Sequence, residues 1–179
     1  GASLTEYVMA ETVAYENAGQ TGRGATALAY AGENPYLAGQ RDLLALTASY
    51  YVTATGAYDA HAYLTNHALA LWGLAAAGEP IPPAAVDWLL AQQNADGGWP
   101  WAGGFTSDSN STALAVQALV GCGLTGAHPA LQAAVTYLHS IQSPDGGFPY
   151  DPAWGDDSDA NSTANVLQAL LALGDDPQR

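Results

Sequence analysis

The sequence predicts an all-α fold in which about four helical hairpins follow one another along the chain. The main observation is an internal repeat: segments 85–99 and 134–148 both begin with Ala-Val, continue to an aromatic residue and Leu, and end in Asp-Gly-Gly-aromatic. A second landmark, Asp-x-Asn-Ser-Thr-Ala, follows each copy at Asp108 and at Asp159. The copies lie about fifty residues apart, which is typical of repeat proteins whose helix pairs bury their apolar faces against their neighbours.

The third and fourth hairpins, residues 82–123 and 129–174, are defined by helical spacing of apolar residues on both sides of the loop that follows each Gly-Gly turn. A proline pair starts the first helix of hairpin 82–123. Glycine in the turn ends that helix because it adopts left-handed backbone conformations. Asp108 and Asp159 are predicted to cap the second helices by accepting amide hydrogens of the first turn.

The first two hairpins, residues 3–32 and 39–78, follow the same plan in a weaker form. In hairpin 39–78, Gly56-Ala57-Tyr58 stands where the later copies have Gly-Gly-aromatic. We assign all four hairpins to one domain of residues 1–179. Because the second helices are rich in alanine, we expect them to pack closely as an inner layer, with the first helices outside. The predicted helices of the first two hairpins span residues 4–16, 26–31, 41–53 and 66–78.

Composition limits the classes of partner. The chain has 17 acidic residues against three Lys or Arg, a formal net charge of −14, which repels nucleic-acid phosphates and anionic lipid headgroups. No apolar stretch is long enough to cross a bilayer, so membrane insertion is not expected. Cys122 is the single cysteine and is predicted to be a small buried thiol at a helix end. The acidic, lysine-free composition favours an extracytoplasmic or cell-surface bacterial protein.

Gln93 with Asp96–Trp99, and Gln142 with Asp145–Phe148, resemble the QW repeat of squalene and oxidosqualene cyclases. The resemblance implies the terpenoid cyclase and protein prenyltransferase superfamily, whose fold is an α/α-toroid and which also contains the helical domain of the cobalamin carriers intrinsic factor and transcobalamin. It is strong over residues 84–174 and moderate over 22–78. It implies that the Gln and the aromatic residue tie consecutive hairpins together. Four hairpins would form a partial or open α/α barrel.

The resemblance also bears on catalysis. In cyclases of this family that protonate an alkene or epoxide, the acid lies within Asp-x-Asp-Asp-Thr-Ala at the start of an inner helix, and such protonation demands an unusually strong acid. The aligned segments here have Asn110 and Asn161 in the middle position, and an amide cannot supply that proton. We therefore predict no catalytic residue. A terpene cyclase with a displaced acid, for example Asp156 or Asp157, is the alternative.

Metal sites are weakly supported. A zinc site needs three or four converging ligands, whereas Cys122 and the four His occupy unrelated positions in the repeats, so no cofactor is predicted. Asp156, Asp157, Asp159 and Asn161 place oxygen side chains close together, as calcium prefers. The segment lacks the Gly and the bidentate Glu of an EF-hand loop. A solvated acidic loop that ends in a helix cap is the preferred interpretation.

Aromatic residues concentrated after the Gly-Gly turns form the candidate binding site, since aromatic loops on a rigid scaffold grip apolar or planar ligands. The motif aromatics Trp99 and Phe148 are expected to be partly structural, and the alternative is that the extra rings only close the end of the core. The predicted ligand-binding residues are Tyr58, Trp99, Trp101, Phe105, Asp108, Asn110, Tyr150, Trp154, Asp159 and Asn161.

The sequence thus predicts a non-catalytic module that binds a bulky apolar or planar small molecule or a protein partner. The cobalamin carriers imply a cobalamin-like ligand, although their disulfides and their further β domain are not visible in this sequence. The alternatives are the terpene cyclase with a displaced acid and a structural interaction domain of a cell-surface protein. Apolar helix faces at the ends of an open array favour homo-oligomers.

Overall fold

A computed structural model describes residues 3–38, 41–61 and 63–175. These residues form eight α-helices and two short 3-10 helices, with isolated bridges but no β-strand. The all-α prediction is confirmed and the helices come in the predicted order, while the toroid arrangement stays a prediction. The α-helices are α1 (Leu4–Glu11), α2 (Ala18–Tyr30), α3 (Leu43–Ser49), α4 (Leu64–Ala76), α5 (Pro83–Ala91), α6 (Ser109–Gly121), α7 (Pro129–Ser140) and α8 (Ala160–Leu173), and the 3-10 helices are Thr12–Ala14 and Pro35–Leu37.

The chain divides into two compact units, Gly1–Leu89 and Leu90–Arg179. In the first unit α2 packs against α3 and α4, and in the second α6 packs against α8 and contacts α7. Each unit has its own apolar core. The fully buried side chains include Leu28, Leu43, Leu64 and Leu71 in the first unit, and Trp99, Leu119, Leu131, Phe148 and Leu170 in the second.

Helix α2 differs most from its prediction, because it begins eight residues earlier than expected. Asn17 caps it by accepting the amide of Gln20 at 2.9 Å. The glycines that argue against a helix in the sequence are used for packing, since a Cβ at Gly22 would collide with the backbone of Leu69 on α4. This close approach agrees with the tight packing predicted for the second helices.

Two first helices are shorter than predicted. Helix α1 ends at Glu11 and passes into a 3-10 turn, where the Arg41 side chain donates to the carbonyl of Val13 at 3.1 Å. Helix α3 begins after its cap Asp42 and ends at Ser49. Gly39 and Gln40, with which the predicted hairpin 39–78 starts, lie outside the described residues.

The predicted helix starts in the second unit are confirmed. Asp108 Oδ1 accepts the amide of Ser111 at 2.7 Å, and Asp159 Oδ1 accepts that of Ser162 at 2.9 Å. Cys122 is the C-cap of α6, where burial raises the pKa of its thiol to about 11, so the thiol stays protonated at neutral pH. Among the described helices, none has the length and apolar character needed to span a bilayer.

Candidate ligand-binding surface on the second unit

Two loops carry most of the predicted binding residues. We call residues 99–108 the first loop and residues 148–159 the second loop. Each loop follows a Gly-Gly turn, which we call a corner, and ends at the cap of α6 or α8. The equivalent turn at residues 56–58 is the corner of the first unit. The backbone amide and the hydroxyl of Ser109 both donate to the carbonyl of Tyr150, at 2.9 and 3.0 Å. The second loop therefore lies against the N-terminal end of α6, beside the end of the first loop.

The first loop is closed at its base by hydrogen bonds. The amide of Trp99 donates to Thr112 Oγ1 at 2.9 Å, and the amide of Asp108 donates to the carbonyl of Trp99 at 3.1 Å. The hydroxyl of Tyr137 donates to the carbonyl of Ser107 at 2.9 Å, and burial raises the pKa of that hydroxyl, so it remains a donor. Sequence analysis missed Tyr137 because its role depends on a loop thirty residues away in the chain.

The second loop repeats this arrangement. The amide of Phe148 donates to Thr163 Oγ1 at 2.9 Å, and the amide of Asp159 donates to the carbonyl of Phe148 at 3.1 Å. At its corner, Ser158 Oγ donates to Asp145 Oδ2 at 2.6 Å, and this bond is the main cause of the lowered pKa of Asp145. Two loops of different sequence are thus held by the same bonds at the base, which makes both bases rigid.

Four aromatic rings of the two loops remain at the surface, in two pairs. Trp101 is 40% exposed and Phe105 52%, with ring centroids 4.5 Å apart. Tyr150 is 39% exposed and Trp154 84%, with centroids 5.9 Å apart. These four are the predicted aromatic residues that the structure places at the surface of the second unit.

Comparison with protein-family models and with curated proteins finds no match. The assignment of function therefore depends on the geometry of the two loops.

Two predicted aromatic residues lie elsewhere. Trp99 is fully buried, so its ring is part of the core of the second unit and is not assigned to a binding surface. Tyr58 belongs to the first unit and is also buried, with its ring 5.0 Å from that of Tyr51. In the first unit the reason is that the ring of Tyr58 packs beside those of Tyr51 and His67, at centroid distances of 5.0 and 5.8 Å.

The turn at Tyr58 depends on His67, one of the four histidines that the sequence analysis considered only as zinc ligands. His67 Nδ1 accepts the amide of Tyr58 at 3.0 Å, and its Nε2 lies 2.9 Å from the carbonyl of Ala85. Since Nδ1 is an acceptor, Nε2 carries the proton and donates. Complete burial lowers the pKa of His67 to about 4, so the ring is neutral. A His directly before the apolar run 68–76 of α4 was the available signal.

The two predicted caps differ in their electrostatics. Asp108 is buried, and burial raises the pKa of its carboxyl, with Asp151 adding to the effect and hydrogen bonding from Ser111 opposing it. Within the described residues its Oδ2 atom has no hydrogen-bond partner. Asp159 is exposed, and hydrogen bonding from Ser162 lowers its pKa.

The two aligned asparagines also differ. Asn110 is half-buried, and its Oδ1 accepts the side-chain amide of Asn165 at 3.0 Å, which joins α6 to α8. Asn161, one repeat later, is exposed. Asn110 is therefore a helix-packing residue, whereas Asn161 is available at the surface.

The acidic residues of the second loop are the calcium ligands that the sequence offers as an alternative. Asp156 and Asp157 are exposed, and the carboxylate of Asp159 serves as a cap. In residues 3–38, 41–61 and 63–175, no three His, Cys, Asp or Glu side chains come together to hold a metal ion. The calcium interpretation therefore gains no support.

Proposed function

We propose that the second unit is a binding module whose two loops hold a planar or apolar group against their exposed aromatic pairs. The observation that carries the proposal is the placement of Trp101 with Phe105, and of Tyr150 with Trp154, on two loops that lie side by side at one end of the unit. Aromatic rings in such positions supply large apolar contact areas with few rotatable bonds.

The rigid bases of the loops support this proposal. Because Thr112 and Thr163 hold both loops in the same way, little conformational entropy remains to be lost when a ligand binds. These bonds hold the ends of the loops, at residues 99 and 108 and at residues 148 and 159, and so limit where the exposed rings between them can lie.

The negative charge of the second loop limits which types of ligand can bind there. Asp151, Asp156 and Asp157 lie within a few residues of Tyr150 and Trp154 in the chain. Carboxylates beside aromatic faces repel anions and favour neutral or cationic groups. A bulky planar molecule such as a cobalamin, as the resemblance implies, has this character.

We also propose that the hairpins belong to the α/α-toroid superfamily. Gln93 Nε2 donates to the carbonyls of Gly97 and Ala130, both at 2.8 Å, and so joins one corner to the start of the next hairpin. This is the role that the resemblance implies for the glutamine. The extracytoplasmic location remains a proposal drawn from composition.

The test is a titration of the purified protein with hydroxocobalamin, followed by tryptophan fluorescence and calorimetry, after native mass spectrometry for retained small molecules. We expect Trp101→Ala and Trp154→Ala each to weaken binding about tenfold or more. Tyr7→Ala, at an exposed aromatic residue of the first unit, is the matched control and should bind normally. Equal affinity in all three variants would exclude the aromatic loops as the site.

A second candidate, acid catalysis on an alkene, is favoured by one observation. The Asp108 carboxyl is buried and keeps one oxygen without a partner in the described structure, as a proton donor with a free O–H requires. Its raised pKa favours the protonated form but makes it a weaker acid. Asp156 and Asp157, the acids suggested by the sequence, are exposed to water. Incubation with squalene separates the functions: the binding module forms no product, and a cyclase forms product that Asp108→Asn abolishes.

A further inference from the structure

The corner glycines show how one hairpin meets the next. Gly56 and Gly97 both have a positive φ, and a Cβ built on them would lie 2.6 Å from the carbonyl of Ala84 and 2.5 Å from that of Ala133, respectively. Ala84 and Ala133 are the same position in the two copies of the repeat, since each precedes the Ala-Val pair. Within each unit, then, the corner is covered by the backbone of the following first helix.

The third corner is open. Gly146 has the same positive φ, yet no described atom lies within 4 Å of a Cβ built on it. An open groove of about 540 Å³ adjoins it, lined by the corner and by Ala160, Ala164 and Leu167 of α8. The groove therefore lies at the position where α5 packs against the Gly56 corner and α7 packs against the Gly97 corner.

The same contrast holds for the second helices. On α6, Asn110 bonds to α8, and Ala113 and Gln117, which share its face at helical spacing, are buried. The equivalent residues of α8, which include Ala164 and Gln168, are exposed. Helix α8 thus presents to solvent the face that α6 uses to bind the next second helix.

A complementary face is exposed on α2. Helix α4 packs against α2 at Asn66, Leu69 and Gly73, and these three residues lie against glycines of α2. Counting from the helix caps, the corresponding residues of α2 are Gln20, Arg23 and Ala27, and all three are exposed.

The exposed faces of α2 and α8 also carry opposite charges. Arg23 is one of three basic residues in the chain. The start of α8 is acidic, with Asp157 and Asp159 just before the helix and Asn161 in its first turn. In the register of the α2–α4 contact Arg23 comes beside Ala164, in the second turn of α8, and an extended guanidinium there can point toward the carboxylates and the amide oxygen at the start of the helix.

We propose that the open face of α8 and the Gly146 corner bind the α1–α2 hairpin of a second copy of this chain, with α8 of one protomer against α2 of the next. The contact continues the repeat interface seen within each unit. Because it joins two different surfaces, it is head-to-tail and builds short chains or a closed ring.

Two variants test the proposal together. Ala164→Arg blocks the α8 face and Ala27→Arg blocks the α2 face; both residues are exposed, and circular dichroism confirms that each variant is folded. By sedimentation velocity over a concentration series, we expect the wild type to self-associate and each variant alone to associate about tenfold more weakly or not at all.

An equal mixture of the variants gives the decisive result. Each retains one intact face, so the mixture should form a one-to-one heterodimer and nothing larger. Leu37→Arg, at an exposed apolar residue of the first unit, is the control and should associate as the wild type does. A wild type that stays monomeric, variants that associate normally, or a mixture without heterodimers would each overturn the proposal.

Discussion

Asp108 and Asp159 occupy the same position in two copies of one motif, yet their carboxyl pKa values shift in opposite directions. Burial raises the pKa of Asp108, whereas hydrogen bonding from Ser162 lowers the pKa of exposed Asp159. Both side chains cap a helix. The two residues therefore share the capping role, and their different surroundings determine how strongly the folded protein favours the charged carboxylate.

The opposite pKa shifts predict opposite changes in the unfolding free energy when each capping Asp is replaced by the neutral Asn. Asp108→Asn keeps the cap, because Asn is as good an N-cap as Asp, and removes a charge that burial disfavours above the folded-state pKa. We expect its unfolding free energy at pH 7 to equal or exceed that of the wild type. Asp159→Asn should be slightly destabilising, since it removes a carboxylate that the folded state favours.

Urea denaturation at pH 7 measures both effects. Asp108→Ala is the control for capping itself and should cost about 1 kcal/mol or more, because it removes the acceptor for Ser111. A clear loss of stability in Asp108→Asn would contradict the role of burial.

His67 predicts a loss of stability in mild acid. Its folded pKa is lowered to about 4, whereas the unfolded ring titrates near its usual pKa of about 6.5. Below pH 6.5 only the unfolded state takes up the proton, so stability falls with pH until about pH 4 and the effect is then complete. Between pH 7 and pH 5 the loss is about 2 kcal/mol.

Chemical denaturation of the wild type and of His67→Gln at these two pH values checks this prediction. The variant has no titrating ring, so its stability should change less between pH 7 and pH 5. Identical pH dependence in the two proteins would show that the folded state binds the proton as readily as the unfolded state does, so that burial does not lower the pKa of His67.

The corner glycines Gly97 and Gly146 predict unequal losses of stability when each is replaced by Ala. Gly146→Ala should lose only about 1–2 kcal/mol, from placing a side chain in a left-handed conformation. Gly97→Ala adds a collision with the carbonyl of Ala133, which should cost about 1–3 kcal/mol more. Thermal unfolding in dilute solution compares them, and equal melting temperatures would mean that the Gly97 corner is not covered in solution.

The neighbouring tryptophans predict separable roles in stability and binding. Trp99 is fully buried, so Trp99→Ala should destabilise the protein by about 3–5 kcal/mol. Trp101 is partly exposed, so Trp101→Ala should change stability by about 0.5 kcal/mol or less and act on ligand binding. Urea denaturation distinguishes them, and a large loss in Trp101→Ala would make its ring a core element.

Much of the fold follows from local sequence. The Gly-Gly corners, the caps at Asp108 and Asp159 and the order of the eight helices are encoded by short stretches, because turns and caps are satisfied within a few residues. Helix α2 was only partly predicted. Gly19 and Gly22 weaken its local helix signal, and the reason for their presence is the nearby α4.

The candidate site was predicted in composition but not in arrangement. The sequence identified the aromatic residues of both loops, yet Trp99 and Tyr58 are buried while Trp101 and Trp154 are exposed. All four residues are aromatic, and only the packing of the surrounding helices distinguishes the buried from the exposed ones.

By itself, then, the sequence determined the helices, their order and the caps of the repeated motif, since these depend on backbone conformation and on hydrogen bonds between near neighbours. Tertiary structure alone decided which copy of each repeated residue is covered. Asp108 and Gly97 are enclosed, while Asp159 and Gly146 face solvent. Burial depends on which other helix packs against a motif, and the residues of the motif itself do not encode that contact.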